Sequence, residues 1–190
     1  TSQTQEHHAQ TEMIIFFQAE DGIRDRSPSR GLGMCIRDRY SLMKNDIGLF
    51  NIAMAYVLTS NRIPQIFYGT EVLMQSPSEG RNDGAVRGDF PGGWPQDKVN
   101  AFTEEGLSVT QKEALSFVRT LLNYRKNSLA IQQGNLRHFV PKDGIYVQNR
   151  QHGDETLLII YNKNDQSVAL DLHRFSSVFN GNTYGTDIIN

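Results

Sequence analysis

The feature that most constrains this chain of 190 residues is a change of hydrophobic period after Asn127. Before that point the apolar residues recur at helical spacing. Asn45-Asp46 offers a helix start, and Leu49, Phe50, Ala53, Met54, Val57 and Leu58 follow at i, i+3, i+4 intervals over 47–59. A second helical run carries Ala114, Phe117, Val118, Leu121 and Leu122 on one face. Thr110-Gln-Lys-Glu113 supplies a capping-box signature for it, and Arg125 and Lys126 stand at its C-terminal end, where the helix dipole favours cations. After Asn127 the pattern alternates. Leu136–Val140, Ile145–Asn149, Thr156–Tyr161 and Val168–Leu172 are four strand candidates, separated by turn residues such as Pro141-Lys-Asp-Gly144 and Asn162-Lys-Asn-Asp165. Helices followed by a meander predict an α+β arrangement.

Between the two helical runs lies Ile63-Pro-Gln-Ile-Phe-Tyr68, short, apolar and aromatic, bounded by Asn61 and Gly69. It reads as a buried strand, with Pro64 near its start, where no ladder donor is lost. It runs through Gly69-Thr-Glu71 into a long polar segment dense in Gly, Pro, Asp and Arg, closing on Arg87-Gly-Asp-Phe-Pro-Gly-Gly-Trp94. A loop of this length inside a compact domain is usually functional or disordered.

Ile63-Pro-Gln-Ile-Phe-Tyr-Gly-Thr-Glu71, joined to the FPGGW loop, resembles the α-amylase family of glycoside hydrolases, and within it the neopullulanase and cyclomaltodextrinase group. The likeness runs from about Tyr40 to the C-terminus. It implies that Ile63–Tyr68 is the eighth strand of a (β/α)8 barrel. The chain is then an α+β fragment: the last helix–strand–helix unit of that barrel, followed by a partial antiparallel β-sandwich domain. The implied divisions are an artefactual segment at 1–39, the C-terminal part of the barrel domain at 40–127, and a truncated β domain at 128–190. A complete barrel needs about 250 residues, so the expectation is a piece of a longer enzyme.

Glycoside hydrolysis requires two carboxyl groups across the scissile bond. The resemblance places an Asp nucleophile on the fourth barrel strand, a Glu acid/base on the fifth and an Asn-His-Asp motif on the seventh. None of these motifs occurs here, so no catalytic residue is assigned and the chain alone is expected to be inactive. Part of a substrate wall remains. Asp83 and Arg87 match an Asp…Arg pair that brackets sugar hydroxyls in related enzymes, with Arg as a fork of donors and Asp as acceptor. A solvated ion pair on the loop is the alternative. Tyr68 and Glu71 sit at the strand end where barrels collect functional groups, and Glu71 could equally orient loop backbone. Phe90 and Trp94 could stack on a sugar face or plug the loop onto the body of the protein. His138 reads as surface or packing.

The first 39 residues carry no sustained period. Gln18-Ala-Glu-Asp-Gly-Ile-Arg-Asp25 and Met34-Cys-Ile-Arg-Asp-Arg39 translate the text of synthetic sequencing adapters, and Ser29-Arg-Gly-Leu-Gly33 translates the bases just upstream of the second, so about 18–39 reads as translated artefact. Its five arginines and four acids lie among Gly, Ser and Pro, which supports an idle, unpacked segment for 1–39. A helix through Glu12–Phe17 is the one element its apolar residues could form. His7-His8 lacks converging ligands for a metal, and Gly31-Leu-Gly33 lacks the strand and third glycine of a phosphate loop.

A net charge of −2 gives no global basic field for nucleic acid or anionic membrane, and no apolar run reaches the roughly 20 residues of a span. The single cysteine, Cys35, excludes an internal disulfide and a cysteine zinc cage. No cofactor or metal is indicated. The resemblance implies an α-glucan oligosaccharide as the parent enzyme's substrate. A stand-alone carbohydrate-binding β module is the rival reading, disfavoured because the strands lack an aromatic row suited to stacking on sugar.

Overall fold

The computed structural model describes residues 11–16, 40, 43–75, 88–179 and 185–189. In chain order the elements are β1 (Thr11–Phe16), α1 (Ile47–Thr59), α2 (Val109–Asn127), α3 (Leu129–Gln133), β2 (Asn135–Lys142), β3 (Ile145–His152), β4 (Glu155–Asn162), α4 (Ser176–Phe179) and β5 (Gly185–Asp187). Short 3-10 turns occupy Thr70–Val72 and Leu172–Phe175.

The two long helices form where the period places them, and their caps explain their limits. Asp46 caps α1 by accepting the Leu49 amide at 3.0 Å. The capping box of α2 lies two residues ahead of the expected one: Ser108 Oγ accepts from the Gln111 amide at 3.2 Å, and Gln111 Oε1 accepts from the Ser108 amide at 3.0 Å. Gln111 also reaches back through Nε2 to the Val72 carbonyl at 3.0 Å, tying the start of α2 to the turn after Gly69. Thr110, the expected cap, is already inside the helix. Arg125 reaches from the end of α2 to α1. Its guanidinium donates to Leu58 O at 2.5 Å, in the last turn of α1, and to Arg62 O at 3.2 Å, just past the helix.

The sheet has the order β2-β3-β4-β1-β5. β2, β3 and β4 are the antiparallel meander read from the alternation. The β2–β3 hairpin turns on Asp143 and Gly144, both at positive φ (51° and 74°), the primed geometry that suits strand twist. A Cβ on Gly144 would lie 2.4 Å from Asn164 Oδ1.

Three expectations need correction. Val168–Leu172 is not a fourth strand. The second edge of β4 is occupied by β1, in parallel from Thr11↔Thr156 to Phe16↔Tyr161, and Asp171 instead caps the 3-10 turn by accepting the His173 amide at 3.0 Å. Residues 11–16, read as unpacked or at most helical, are a strand that also pairs with β5. Ile63–Phe67 has no regular secondary structure and no ladder partner among the described residues, and Ile63 is 95% exposed. A buried strand needs neighbours on both sides, and none of the described strands stands beside it.

The main core lies between the helices and one face of the sheet. Phe50, Met54 and Leu58 of α1, Val118 and Leu121 of α2, and Ile131 of α3 pack on Leu157, Ile159 and Tyr161 of β4. The other face of β4 packs Leu158 and Ile160 against Val147, Phe175 and Val178. The run Leu157–Tyr161 is unbroken in its apolarity because the strand is buried on both sides. The main core draws residues from both sides of the expected boundary at 127/128.

Candidate functional site

Tyr68 precedes, and Glu71 lies within, the sharp turn that follows Ile63–Phe67. Gly69 at φ 83° and Leu73 at φ 53° both adopt the left-handed conformation on either side of the 3-10 turn, and a Cβ on Gly69 would lie 2.3 Å from Met74 Sδ. Tyr68 packs on Phe67 with ring centroids 4.6 Å apart, and its hydroxyl donates to the Gly88 carbonyl at 3.1 Å. Tyr68 is thereby joined to the far end of the long loop. Glu71 Oε2 is buried and has no hydrogen-bond partner among the described residues. Asp83 and Arg87 lie outside the described residues.

The closing part of the loop is held by two side chains that the sequence reading did not single out. Asp97 Oδ2 accepts from the amides of Gly92 and Trp94 at 2.8 and 3.1 Å. Asn100 Oδ1 accepts from the amides of Phe102 and Thr103 at 2.9 and 3.2 Å, and its backbone bridges to Glu105. Side-chain acceptors two to five residues from the amide are the usual device for fixing such turns. An Asp and an Asn shortly after Pro-Gly-Gly-Trp-Pro were the available signal. Phe90 faces Phe102 at 5.2 Å and joins a small core of Val72, Ala101 and Leu107, so it plugs the loop. Trp94 does not: it is 60% exposed and borders an open cleft of about 420 Å³ with Asp97, Lys98 and Asn100.

On the sheet, His138 packs on Tyr146, and Tyr146 stacks on Tyr161 with centroids 5.5 Å apart. His138 Nδ1 is hydrogen-bonded to the Tyr146 hydroxyl. This aromatic row crosses β2, β3 and β4, but its inner end faces the core, since Tyr161 is only 4% exposed beneath α1. Burial pushes the Tyr161 phenol well above the usual tyrosine range, outweighing its hydrogen bond with Thr59, and burial raises Tyr146 as well. Arg150, with no exposed surface, donates to Ala130 O at 3.0 Å and Ile131 O at 2.5 Å. Desolvation lowers its pKa, and the charge of Arg125 adds to the effect.

Among the described residues no group of three or more His, Cys, Asp or Glu could hold a metal ion, and no helix is long and apolar enough to cross a membrane.

Comparison with known proteins bears on the part of the chain that carries β2, β3 and β4. Residues 136–190 match the family model of the cyclo-malto-dextrinase C-terminal domain. The chain is 24% identical over 130 residues to a cyclomaltodextrin glucanotransferase of Geobacillus stearothermophilus, 68% of this chain. It is 28% identical over 118 residues, 62% of the chain, to that of Klebsiella oxytoca, and 26% identical over 137 residues, 72% of the chain, to that of Paenibacillus macerans. The aligned part covers 16% of the length of each relative. Together these matches support an α-amylase-family C-terminal region, with β2–β4 as the body of its C-terminal β domain.

Proposed function

We propose that this chain is the C-terminal part of an α-glucan-cleaving enzyme of the neopullulanase and cyclomaltodextrinase kind. In this reading residues 40–127 are the end of its (β/α)8 barrel and 128–190 its β domain. The observation that carries it is the cyclo-malto-dextrinase C-terminal match over 136–190, packed through one core onto the helices that frame the FPGGW loop. The names of the relatives, cyclomaltodextrin glucanotransferases, favour cyclodextrin and starch-type glucans as substrates of the parent enzyme.

The role left to these residues is positioning. Asp83 and Arg87 would bracket sugar hydroxyls. Tyr68 would brace the loop through Gly88, and Glu71 would face the loop backbone or the sugar. The nucleophile and the acid/base belong to barrel strands outside this sequence, so the chain itself turns over neither cyclodextrin, pullulan nor starch.

The test is to restore the upstream barrel from the native locus and assay Asp83→Ala and Arg87→Ala in the whole enzyme. Loss of hydrogen bonds to sugar, one partner charged, should cost about 1.5–3 kcal/mol of transition-state binding, roughly a 10- to 150-fold fall in kcat/KM. Wild-type kinetics in both variants would remove the pair from the site. Turnover by the present chain would overturn the assignment of the chemistry to missing strands.

A further inference from the structure

Trp94 is 60% exposed, while Phe90, on the same loop, is taken into the small core of Val72, Ala101 and Leu107. The backbone that carries the indole is nevertheless held on both sides. The amides of Gly92 and Trp94 donate to Asp97 Oδ2, the Asp97 amide returns to the Trp94 carbonyl at 3.1 Å, and Gly93 donates to the Phe90 carbonyl at 3.1 Å. A large aromatic side chain is thus presented to solvent from a fixed turn. Surface aromatics fixed in this way lose little freedom when a ligand settles on them.

The cleft of about 420 Å³ beside Trp94 has a mixed lining. Asp97 uses one carboxylate oxygen for both amides, which leaves Oδ1 as an acceptor. Lys98 and Glu105 also line the cleft, and neither belongs to an ion pair among the described residues. Ammonium donors, carboxylate acceptors and an aromatic side chain therefore share one opening. Gly92 and Gly93 line it as bare backbone. Gly92 needs its freedom for a φ of 95°, but Gly93 has no positive φ, and a Cβ on it would meet only the Phe90 carbonyl, at 3.2 Å. A glycine that backbone conformation does not demand leaves room for a ligand to approach closely. The two carboxylates do not make a metal site, since among the described residues no group of three or more His, Cys, Asp or Glu could hold an ion.

From this arrangement we infer that Trp94 and its cleft form an outer substrate subsite, where the indole stacks on one glucose ring of an α-glucan chain and Asp97 and Lys98 take its hydroxyls. The inference deepens the α-glucan reading above and rests on it. Trp94 follows Gly88, whose carbonyl is bound to Tyr68, at a chain distance of at most about 20 Å. One oligosaccharide can span that distance and meet both ends of the loop. The C–H face of a sugar ring carries partial positive charge and matches the negative face of the indole, whereas its rim of hydroxyls needs donors and acceptors together. A subsite on a remote part of the substrate favours long chains over short ones.

Because the chain has a single tryptophan, the first test is direct. Titrating the full chain with maltoheptaose should change the emission of Trp94 and saturate. Lys98→Ala, at an exposed position, should weaken the apparent affinity about two- to fivefold with unchanged circular dichroism. In the enzyme restored with its upstream barrel, Trp94→Ala should lower kcat/KM about three- to tenfold for maltoheptaose and by less than about twofold for maltotriose. A merely structural indole would lower both alike, and that result would overturn the subsite. Unchanged emission with maltoheptaose and with cellohexaose would overturn it too, the α-glucan reading then being judged by the Asp83 and Arg87 variants. A response to cellohexaose in place of maltoheptaose would count against α-glucans themselves and overturn the subsite with them.

Discussion

The hydroxyls of Thr59 and Tyr161 meet at 3.0 Å, 102 residues apart in sequence, and join the last turn of α1 to the end of β4 inside the main core. Thr59 Oγ1 already donates to Ala55 O at 2.8 Å, so the bond between them is Tyr161 O–H donating to Thr59. Tyr161→Phe should cost about 1 kcal/mol and Thr59→Val about 1–2 kcal/mol, since the latter loses two bonds. Because the pair shares one bond, the double variant should cost less than the sum, by about 0.5–1.5 kcal/mol in urea unfolding. Strict additivity would separate the two residues.

The same tyrosine sets an alkaline limit. Burial raises the folded-state pKa of Tyr161 above that of the unfolded chain, so the native state keeps the proton that the unfolded chain releases. The stabilisation is complete below the unfolded value of about 10 and is lost as pH rises beyond it. Tyr40 and Tyr146 shift the same way, burial being the larger cause in each. The Tm should fall progressively above about pH 10, and Tyr161→Phe should flatten that fall. An identical slope in the variant would argue against the assignment.

Arg150 holds α3 to the sheet through two carbonyls, with no ion pair among the described residues. Arg150→Ala removes that fork and opens a cavity, for an expected loss of about 3 kcal/mol. Arg150→Lys should not restore it, because a point-like ammonium cannot span both carbonyls as a planar fork does. Chemical denaturation of the two variants distinguishes a fork from a mere space-filling stem.

Asp97→Ala should release the Gly92 and Trp94 amides and cost about 1–2 kcal/mol locally. The chain has a single tryptophan, so its emission reads the loop directly. Asp97→Ala should change that emission, and Asp97→Asn, which keeps an acceptor, should largely restore it. Gly92→Ala is the complementary probe. Its φ is 95°, and a Cβ there would sit 2.5 Å from Asn100 Oδ1, so strain and contact both oppose it.

What could be read from the residues followed from how local the determining interactions are. The periods of α1 and α2 and the alternation of β2, β3 and β4 are local, and these elements stand where they were expected. Ser108-x-x-Gln111 and Thr110-x-x-Glu113 both satisfy the capping pattern, and only the contact of Gln111 with Val72 O separates them. Ile63–Phe67 has the composition of a buried strand, but composition cannot supply neighbours. Val168–Leu172 alternates, yet the ladder edge it would need is taken by β1. Met13-Ile-Ile-Phe16 is short, β-branched and aromatic, which suits the strand it forms, but the absence of a flanking pattern left only an unpacked segment or a helix as the expectation there.

β4 is shared by two cores, with Leu157, Ile159 and Tyr161 serving one and Leu158 and Ile160 the other. Neighbouring positions on it therefore answer to different partners while moving on one backbone. A replacement at Leu157 that shifts the strand to suit the helices displaces Leu158 against Phe175 and Val178, so the two faces are epistatic. Sequence drift on the helical side of this molecule is constrained by packing on the far side of the sheet, and repacking either side alone, as in a directed library, should yield fewer folded variants than repacking both together.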